Sequence, residues 1–212
     1  LKIAAISDTH CHSLSKIIGD LCADFLLHAG DALNYGQSNE FFSFAREMHR
    51  VRSQFKHVIY VPGNHDIFVE QERERAVAEL KKHDIHVLID ERLEIDGISF
   101  YGSPGVPLLP AYWAFGYGYE DQTERWSQVK PMDVLITHGP PLGILDYHCG
   151  CGYLRQAVDR LKPKLHVFGH MHECGGEQLQ QDRSHFSNVA ICDRTYRPAR
   201  KPFVYELSRA RK

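Results

Sequence analysis

The order of apolar runs predicts an α/β fold of two packed mixed sheets whose outer faces are covered by helices. Three observations carry that expectation. Short apolar runs alternate with helical patterns through the first third of the chain. Hairpin-like β segments follow in the middle and return at the end. No internal repeat, low-complexity stretch or long linker interrupts the sequence. The 212 residues, 43% hydrophobic and 25% charged, fit a single domain over residues 1–212.

Lys2–Ile6 reads as a buried strand, and Ser13–Leu21 as a helix opened by a Ser cap. Asp24–His28 is the second strand. Asn39–Arg52 follows as a helix, because Phe41, Phe42, Phe44, Ala45 and Met48 recur at helical spacing. His57–Val61 is the third strand, and Gln71–His83 is a charged helix with Ala76, Val77 and Leu80 inward. Val87–Ile89, Arg92–Ile95 and Ile98–Tyr101 are short strands, the last two joined by Asp96-Gly97, a strong hairpin signal. Beyond an irregular segment come a helix over Asp121–Val129, a strand over Asp133–Ile136, a helix over Gly152–Arg160 and a strand over Leu165–Phe168. Glu177–Gln181, His185–Asn188 and Phe203–Leu207 complete the β pattern.

Functional side chains are expected beyond the carboxyl ends of such strands, and five of these ends carry unusual residues. Lys2–Ile6 is followed by Ser7-Asp8-Thr9-His10, and Phe25–His28 by Gly30-Asp31. Val58–Val61 leads through Pro62 into Gly63-Asn64-His65-Asp66. Asp133–Ile136 leads into Thr137-His138-Gly139, and Leu165–Phe168 into Gly169-His170-Met171-His172. Alone, each is weak, because Gly and Asn suit any turn and a lone histidine is usually structural. As a series, Asp8, His10, Asp31, Asn64, His138, His170 and His172 supply what two adjacent divalent ions need, with one carboxylate shared between them. Asp8 and Asp31 would cancel two of the four positive charges, leaving about +2 to attract a phosphate ester. The N/O donor set admits Mn, Fe, Zn, Ni or Co. His65 is the block histidine left over, as an acid or electrostatic stabiliser. Asp66 reads as a support that orients the loop or a ligand.

The same residues carry a family resemblance. Asp8-Thr-His10, Gly30-Asp31, Gly63-Asn64-His65-Asp66, Thr137-His138 and Gly169-His170-Met-His172 resemble the five signature blocks of the calcineurin-like metallophosphoesterases. His28-Ala-Gly-Asp31, Thr137-His138-Gly-Pro-Pro141, His166-Val-Phe-Gly-His-Met-His-Glu173 and Asn188 with Asp193-Arg-Thr-Tyr196-Arg-Pro198 are similar to the small metallophosphoesterase-domain (MPPED) proteins. The resemblance implies a four-layer α/β/β/α sandwich with a di-metal centre. It assigns Asp8, His10 and His172 to one metal, Asn64, His138 and His170 to the other, and Asp31 to the bridge. It also implies a metal-bridging hydroxide attacking phosphorus, with His65 near the scissile phosphate assisting the leaving group. Where phosphoprotein-phosphatase relatives carry an Asp that supports this histidine, the chain has Asn34. A neutral amide orients a ring without raising its basicity, which suits a phosphodiester better than a phosphoprotein.

These readings make the expected activity that of a phosphodiesterase acting on a small phosphate ester, with cyclic nucleotides as a substrate class. A phosphomonoesterase, a nuclease or a non-catalytic metal-binding scaffold are the rivals. Residues 101–119 hold six aromatics among Gly and Pro, and read equally as a substrate wall around Trp113 or as a loop packing over a sheet edge. His12, near the first block, is a further candidate to touch substrate. His28 and His166 lie inside strand patterns and read as core. His148-Cys149-Gly-Cys151 with Cys174 has the wrong spacing for a zinc knuckle.

Six cysteines in no disulfide-like spacing, with no signal-peptide pattern, point to a cytoplasmic location. No apolar run is long enough for a membrane span. The net charge of −2 lacks the basic stripe of a nucleic-acid binder, and the Arg-rich end reads as a solvated tail.

Overall fold

The computed structural model describes residues 1–107 and 113–208. Tyr112 of the aromatic segment and Arg209, Arg211 and Lys212 of the basic end lie outside the described residues. The elements in chain order are β1 (Lys2–Ile6), α1 (Leu14–Ile18), β2 (Ala23–His28), α2 (Ser38–Val51), β3 (Phe55–Tyr60), α3 (Ile67–Gln71), α4 (Arg73–Lys81), β4 (Ile85–Val87), β5 (Glu91–Ile95) and β6 (Ile98–Ser103). They continue with β7 (Val106–Pro107), β8 (Gly116–Tyr117), α5 (Tyr119–Ser127), β9 (Val134–Thr137), α6 (Gly152–Leu161), β10 (Leu165–Phe168), β11 (Gln178–Gln181), β12 (Ser184–Asn188) and β13 (Phe203–Glu206).

Two mixed sheets form. One has five strands in the order β13-β1-β2-β3-β4, the other six in the order β11-β12-β10-β9-β6-β5. Within the first, β1 to β4 run parallel and β13 closes antiparallel against β1. Within the second, β6, β9, β10 and β12 are parallel, and β5 and β11 are antiparallel edges. Central strands buried on both faces must be apolar on both, which is why β1, β9 and β10 read as continuous runs rather than alternations.

Ile3, Ala5, Phe25, Leu27 and Ile59 of the first sheet interdigitate with Phe100, Val134, Ile136, Leu165 and Val167 of the second. The opposite faces are covered separately. Ala4, Ile6, Leu26, Val58 and Tyr60 pack under α1 to α4 through Phe41, Phe44, Met48 and Leu80. Leu135, Phe168 and Phe186 pack under α5 and α6 through Trp126, Leu154 and Val158. The result is the expected four layers, helix on sheet on sheet on helix.

Several boundaries move for local reasons. α1 stops at Ile18, because Gly19 adopts φ +57, and Ser13 does not cap it; its hydroxyl donates to Glu47 instead. The helix expected over 71–83 begins at Ile67 and breaks at Glu72 before resuming as α4. Phe42 stands only partly buried, with the Arg75 guanidinium over its ring. The Asp96-Gly97 turn is as anticipated, both residues at positive φ and Ile95 paired with Ile98. No helix among the described residues is long and apolar enough to cross a membrane. All six cysteines are free.

Candidate metal centre

The strand ends of both sheets meet at one edge, where Ser7 bridges in parallel to Ala190. The loops there are hydrogen-bonded to each other rather than to solvent: Asp8 N–H donates to Gly30 O, and His10 N–H to Asp31 O. Asp8, His10, Asp31 and His170 all adopt left-handed backbone conformations, which cost non-glycine residues about 1–3 kcal/mol each and cluster at functional sites. A Cβ at Gly169 would collide with the Asp8 carboxylate, and one at Gly63 with that of Asp31. Glycine is therefore required at both positions for the strand ends to close on the carboxylates.

All seven predicted ligands converge. Donor atoms of Asp8, His10 and His172 lie within 4.8 Å of one another, as do those of Asp31, His138 and His170. Asn64 Oδ1 is 2.9 Å from His138 Nε2. The group of His10, Asp31 and His65 is equally close, so His65 stands beside the proposed bridge; its Nε2 is 3.9 Å from Asp31 Oδ2.

The tautomers show what the cluster suits. His10 Nδ1 faces Leu33 O, His138 Nδ1 faces Ala29 O and His172 Nδ1 faces Asp193 O. A carbonyl only accepts, so each Nδ1 carries the proton and each Nε2 turns a lone pair inward. His10 Nε2 and His172 Nε2 then oppose each other at 3.2 Å. His138 Nε2 likewise opposes Asp31 Oδ1 at 3.2 Å. Acceptors facing acceptors in a buried site require a cation or a proton between them, so these residues fit divalent metal ions.

A proton can stand in for the cation between these acceptors, and the electrostatics describe that protonated form. Burial would raise the Asp8 carboxyl, but the His172 hydrogen bond and the His138 charge outweigh it and hold it at about 2. Burial is overcome in the same way at Asp31, where His138 keeps the carboxyl far below its usual range. Burial also disfavours a charged His138, yet the adjoining Asp31 carboxylate pushes this imidazole up to about 9. His170 moves the other way, lowered to about 4 by burial and the His138 charge.

His65 is held by a 2.6 Å hydrogen bond from its Nδ1 to Asn34, but the acceptor is the backbone carbonyl. The amide side chain on which the sequence argument rested is not the partner, so the Asn-for-Asp difference does not decide how this ring is oriented. Asp66 is fully buried below the site. It accepts from Gly63 N–H at 2.7 Å and Leu33 N–H at 2.9 Å, stitching the third block to the second. Its carboxyl is raised to about 6 by burial and by the Asp31 charge. Trp113 packs on His65, ring centroids 4.2 Å apart. His12 sits apart: its Nε2 engages Tyr196 O at 2.8 Å, and its ring lines a neighbouring groove of about 740 Å³ with Lys16, Ile17 and Pro198.

The cavity over the cluster, about 210 Å³, is lined by Asp31, Asn64, His65, His170 and His172, and by Glu173, Arg194 and Tyr196. The last three carry no role in the sequence reading. Glu173 pairs with Arg194 at 3.3 Å, and the Tyr196 ring lies 4.6 Å from that of His10. The larger groove beside His12 holds none of the ligand set.

Comparison with known proteins places this geometry. A family model for calcineurin-like phosphoesterases matches residues 1–174. A UPF0046 protein of Caenorhabditis elegans is 33% identical over 98% of this chain and 81% of its own length. Metallophosphoesterase domain-containing protein 1 of Homo sapiens is 30% identical over 97% of this chain and 71% of its own. Among solved structures, TT1561 of Thermus thermophilus shares the fold with a TM-score of 0.64 at 15% identity, covering 96% of this chain and 97% of that one.

Proposed function

Because the chain belongs to the calcineurin-like phosphoesterase family, whose members are phosphoric ester hydrolases, we propose that it is a dinuclear metal-dependent phosphodiesterase acting on small phosphate esters, cyclic nucleotides among them. The observation that carries the reading is the convergence of inward-facing Nε2 lone pairs and carboxylates around Asp31, with His65 alongside. Asp8, His10 and His172 would hold one ion, Asn64, His138 and His170 the second, and Asp31 would bridge them. Two divalent ions there, with Mn²⁺ as the working choice, supply Lewis-acid activation of water and neutralise phosphate charge.

The chain's own residues do the rest. With Nδ1–H committed to Asn34 O, His65 has only Nε2 free to face the cavity. Protonated there, it delivers a proton to the departing oxygen as the ester bond breaks. Asp66 fixes the turn that carries Asn64 and His65. Arg194 offers a guanidinium at the cavity rim for the non-bridging oxygens. Six free thiols support a reducing, cytoplasmic setting, and the whole chain is taken as one domain.

The test is a rate comparison on Mn²⁺-loaded protein between bis(p-nitrophenyl) phosphate and p-nitrophenyl phosphate, extended to cyclic nucleotides and single-stranded DNA. Diester hydrolysis should dominate, with cyclic nucleotides cut faster than DNA. Faster monoester turnover, or faster DNA cleavage, would overturn the assignment.

A further inference from the structure

Two exposed aromatic rings touch the cluster, and the fold goes to some length to hold both. Trp113 is 39% exposed and Tyr196 44%. Tyr196 meets His10 edge-on at 4.6 Å and His172 at 5.1 Å, and lies 6.1 Å from His65. Trp113 meets His65 from its own side at 4.2 Å. Centroids this close are contact distances for aromatic pairs.

Described backbone beside each ring is tied to the cluster. Tyr196 adopts φ +60, a conformation that strains a residue with a Cβ. It is held there by a tight turn in which Asp193 Oδ1 accepts from Thr195 N–H, Thr195 Oγ1 and Arg197 N–H. The turn is tied to the cluster twice. His172 Nδ1 donates to Asp193 O, and the His12 ring donates to Tyr196 O. The segment bearing Trp113 is tied as well: Ala114 N–H donates to Asn64 O, and Phe115 N–H to Glu70. Both walls are thus anchored, in part, on the backbone or side chain of a candidate metal ligand. A ring meant only to cover apolar surface would be buried and would need no strained backbone.

We propose that Tyr196 and Trp113 are specificity-determining walls that select phosphate esters whose organic group is a planar aromatic ring, a nucleobase above all. This rests on the phosphoesterase reading only for where the phosphate sits, over the cluster of Asp31 and its neighbours. The organic group attached to that phosphate leaves the cavity past Tyr196, which lines it, and past Trp113, which packs on His65 beside it, so that a flat π-system contacts either or both. Stacking of a base on a protein ring changes affinity by about 5- to 150-fold and is tolerant of base identity.

Calorimetric titration of the Mn²⁺-loaded full chain with adenosine 5′-monophosphate and with ribose 5-phosphate tests the idea, because the two probes share a phosphate and differ by the base. The wild-type protein should bind the nucleotide at least about tenfold tighter. Tyr196→Ala and Trp113→Ala should each bring that ratio down severalfold, with ribose 5-phosphate affinity little changed, and Tyr196→Phe should restore it. Equal metal content in each variant excludes a damaged centre. A wild-type ratio near one, or a ratio unchanged in both alanine variants, overturns the proposal. Retention of the ratio by a protein that hydrolyses no phosphate ester would instead refute the phosphoesterase reading and leave the aromatic walls standing.

Discussion

His65 and Asn34 show how one atom can change the meaning of a residue. Asn34 meets His65 through a carbonyl that every amino acid possesses, so Asn34→Ala should lower kcat by less than about tenfold. His65→Ala should lower it by about 10²–10⁴, the range for losing a positioned acid. Comparable losses in the two variants, measured as kcat on bis(p-nitrophenyl) phosphate, would show that the Asn34 side chain matters after all. The candidate ligands were legible because each follows directly on an apolar run, and local sequence order places them. Tyr196 was not legible in the same way. It reaches the cavity only because the 193–197 turn folds back against His10 and His172, and no periodicity records such a return. Beyond the family resemblance of the Asp193-Arg-Thr-Tyr196 stretch, the local signal was Asp193 followed by Thr195, a side-chain-to-backbone turn pattern.

At the scale of elements, the two sheets are fastened by rings and branched chains that meet in the middle layer. Phe25 and Phe100 contact across that layer at 5.1 Å, both wholly buried. Phe100→Ala should cost about 3–5 kcal/mol, the range for deleting a buried aromatic. Phe42→Ala should cost much less, because that ring lies at the margin of its cluster. Urea midpoints of the two variants give the comparison, and equal losses would contradict the assigned layers. Strands and their order of appearance were readable from composition, since burial on both faces demands apolar runs. Helix limits were not. α3 starts inside the turn that positions Asp66, where ligand geometry rather than amphipathic spacing decides the backbone.

Across the whole molecule, two buried histidines brace the two sheets in matching fashion. His28 of β2 contacts Thr9 Oγ1 at 3.0 Å, and His166 of β10 contacts Thr137 Oγ1 at 2.8 Å. Thr137 gives its own proton to Gly139 O, so His166 Nε2 is the donor, and its Nδ1 is left neutral and unpartnered. Burial lowers the imidazole to about 3. Between the unfolded value near 6.5 and that folded value, only the unfolded chain takes up this proton. Stability therefore falls as pH drops through the window and recovers as pH rises, by about 1.4 kcal/mol per pH unit for this group. His166→Gln should flatten the stability profile between about pH 5.5 and 4 by about that slope, read from urea unfolding of the metal-free variant and its parent. An unchanged slope would mean that His166 is protonated in the fold.

The candidate ligands are divided between the sheets: Asp8, His10, Asp31 and Asn64 follow strands of the first, and His138, His170 and His172 follow strands of the second. Each proposed ion would be held from both sides, and His10 and His172 lie 162 residues apart. Such a site can close only after most of the chain has found its place, so bound metal should be absent from the folding transition state. Mn²⁺ should then slow unfolding severalfold while leaving the refolding rate almost unaltered. Stopped-flow unfolding with and without EDTA would reveal it, and a faster refolding limb with metal would place the ions early. The metal centre, on this view, acts as a late kinetic latch between two halves that have already collapsed together.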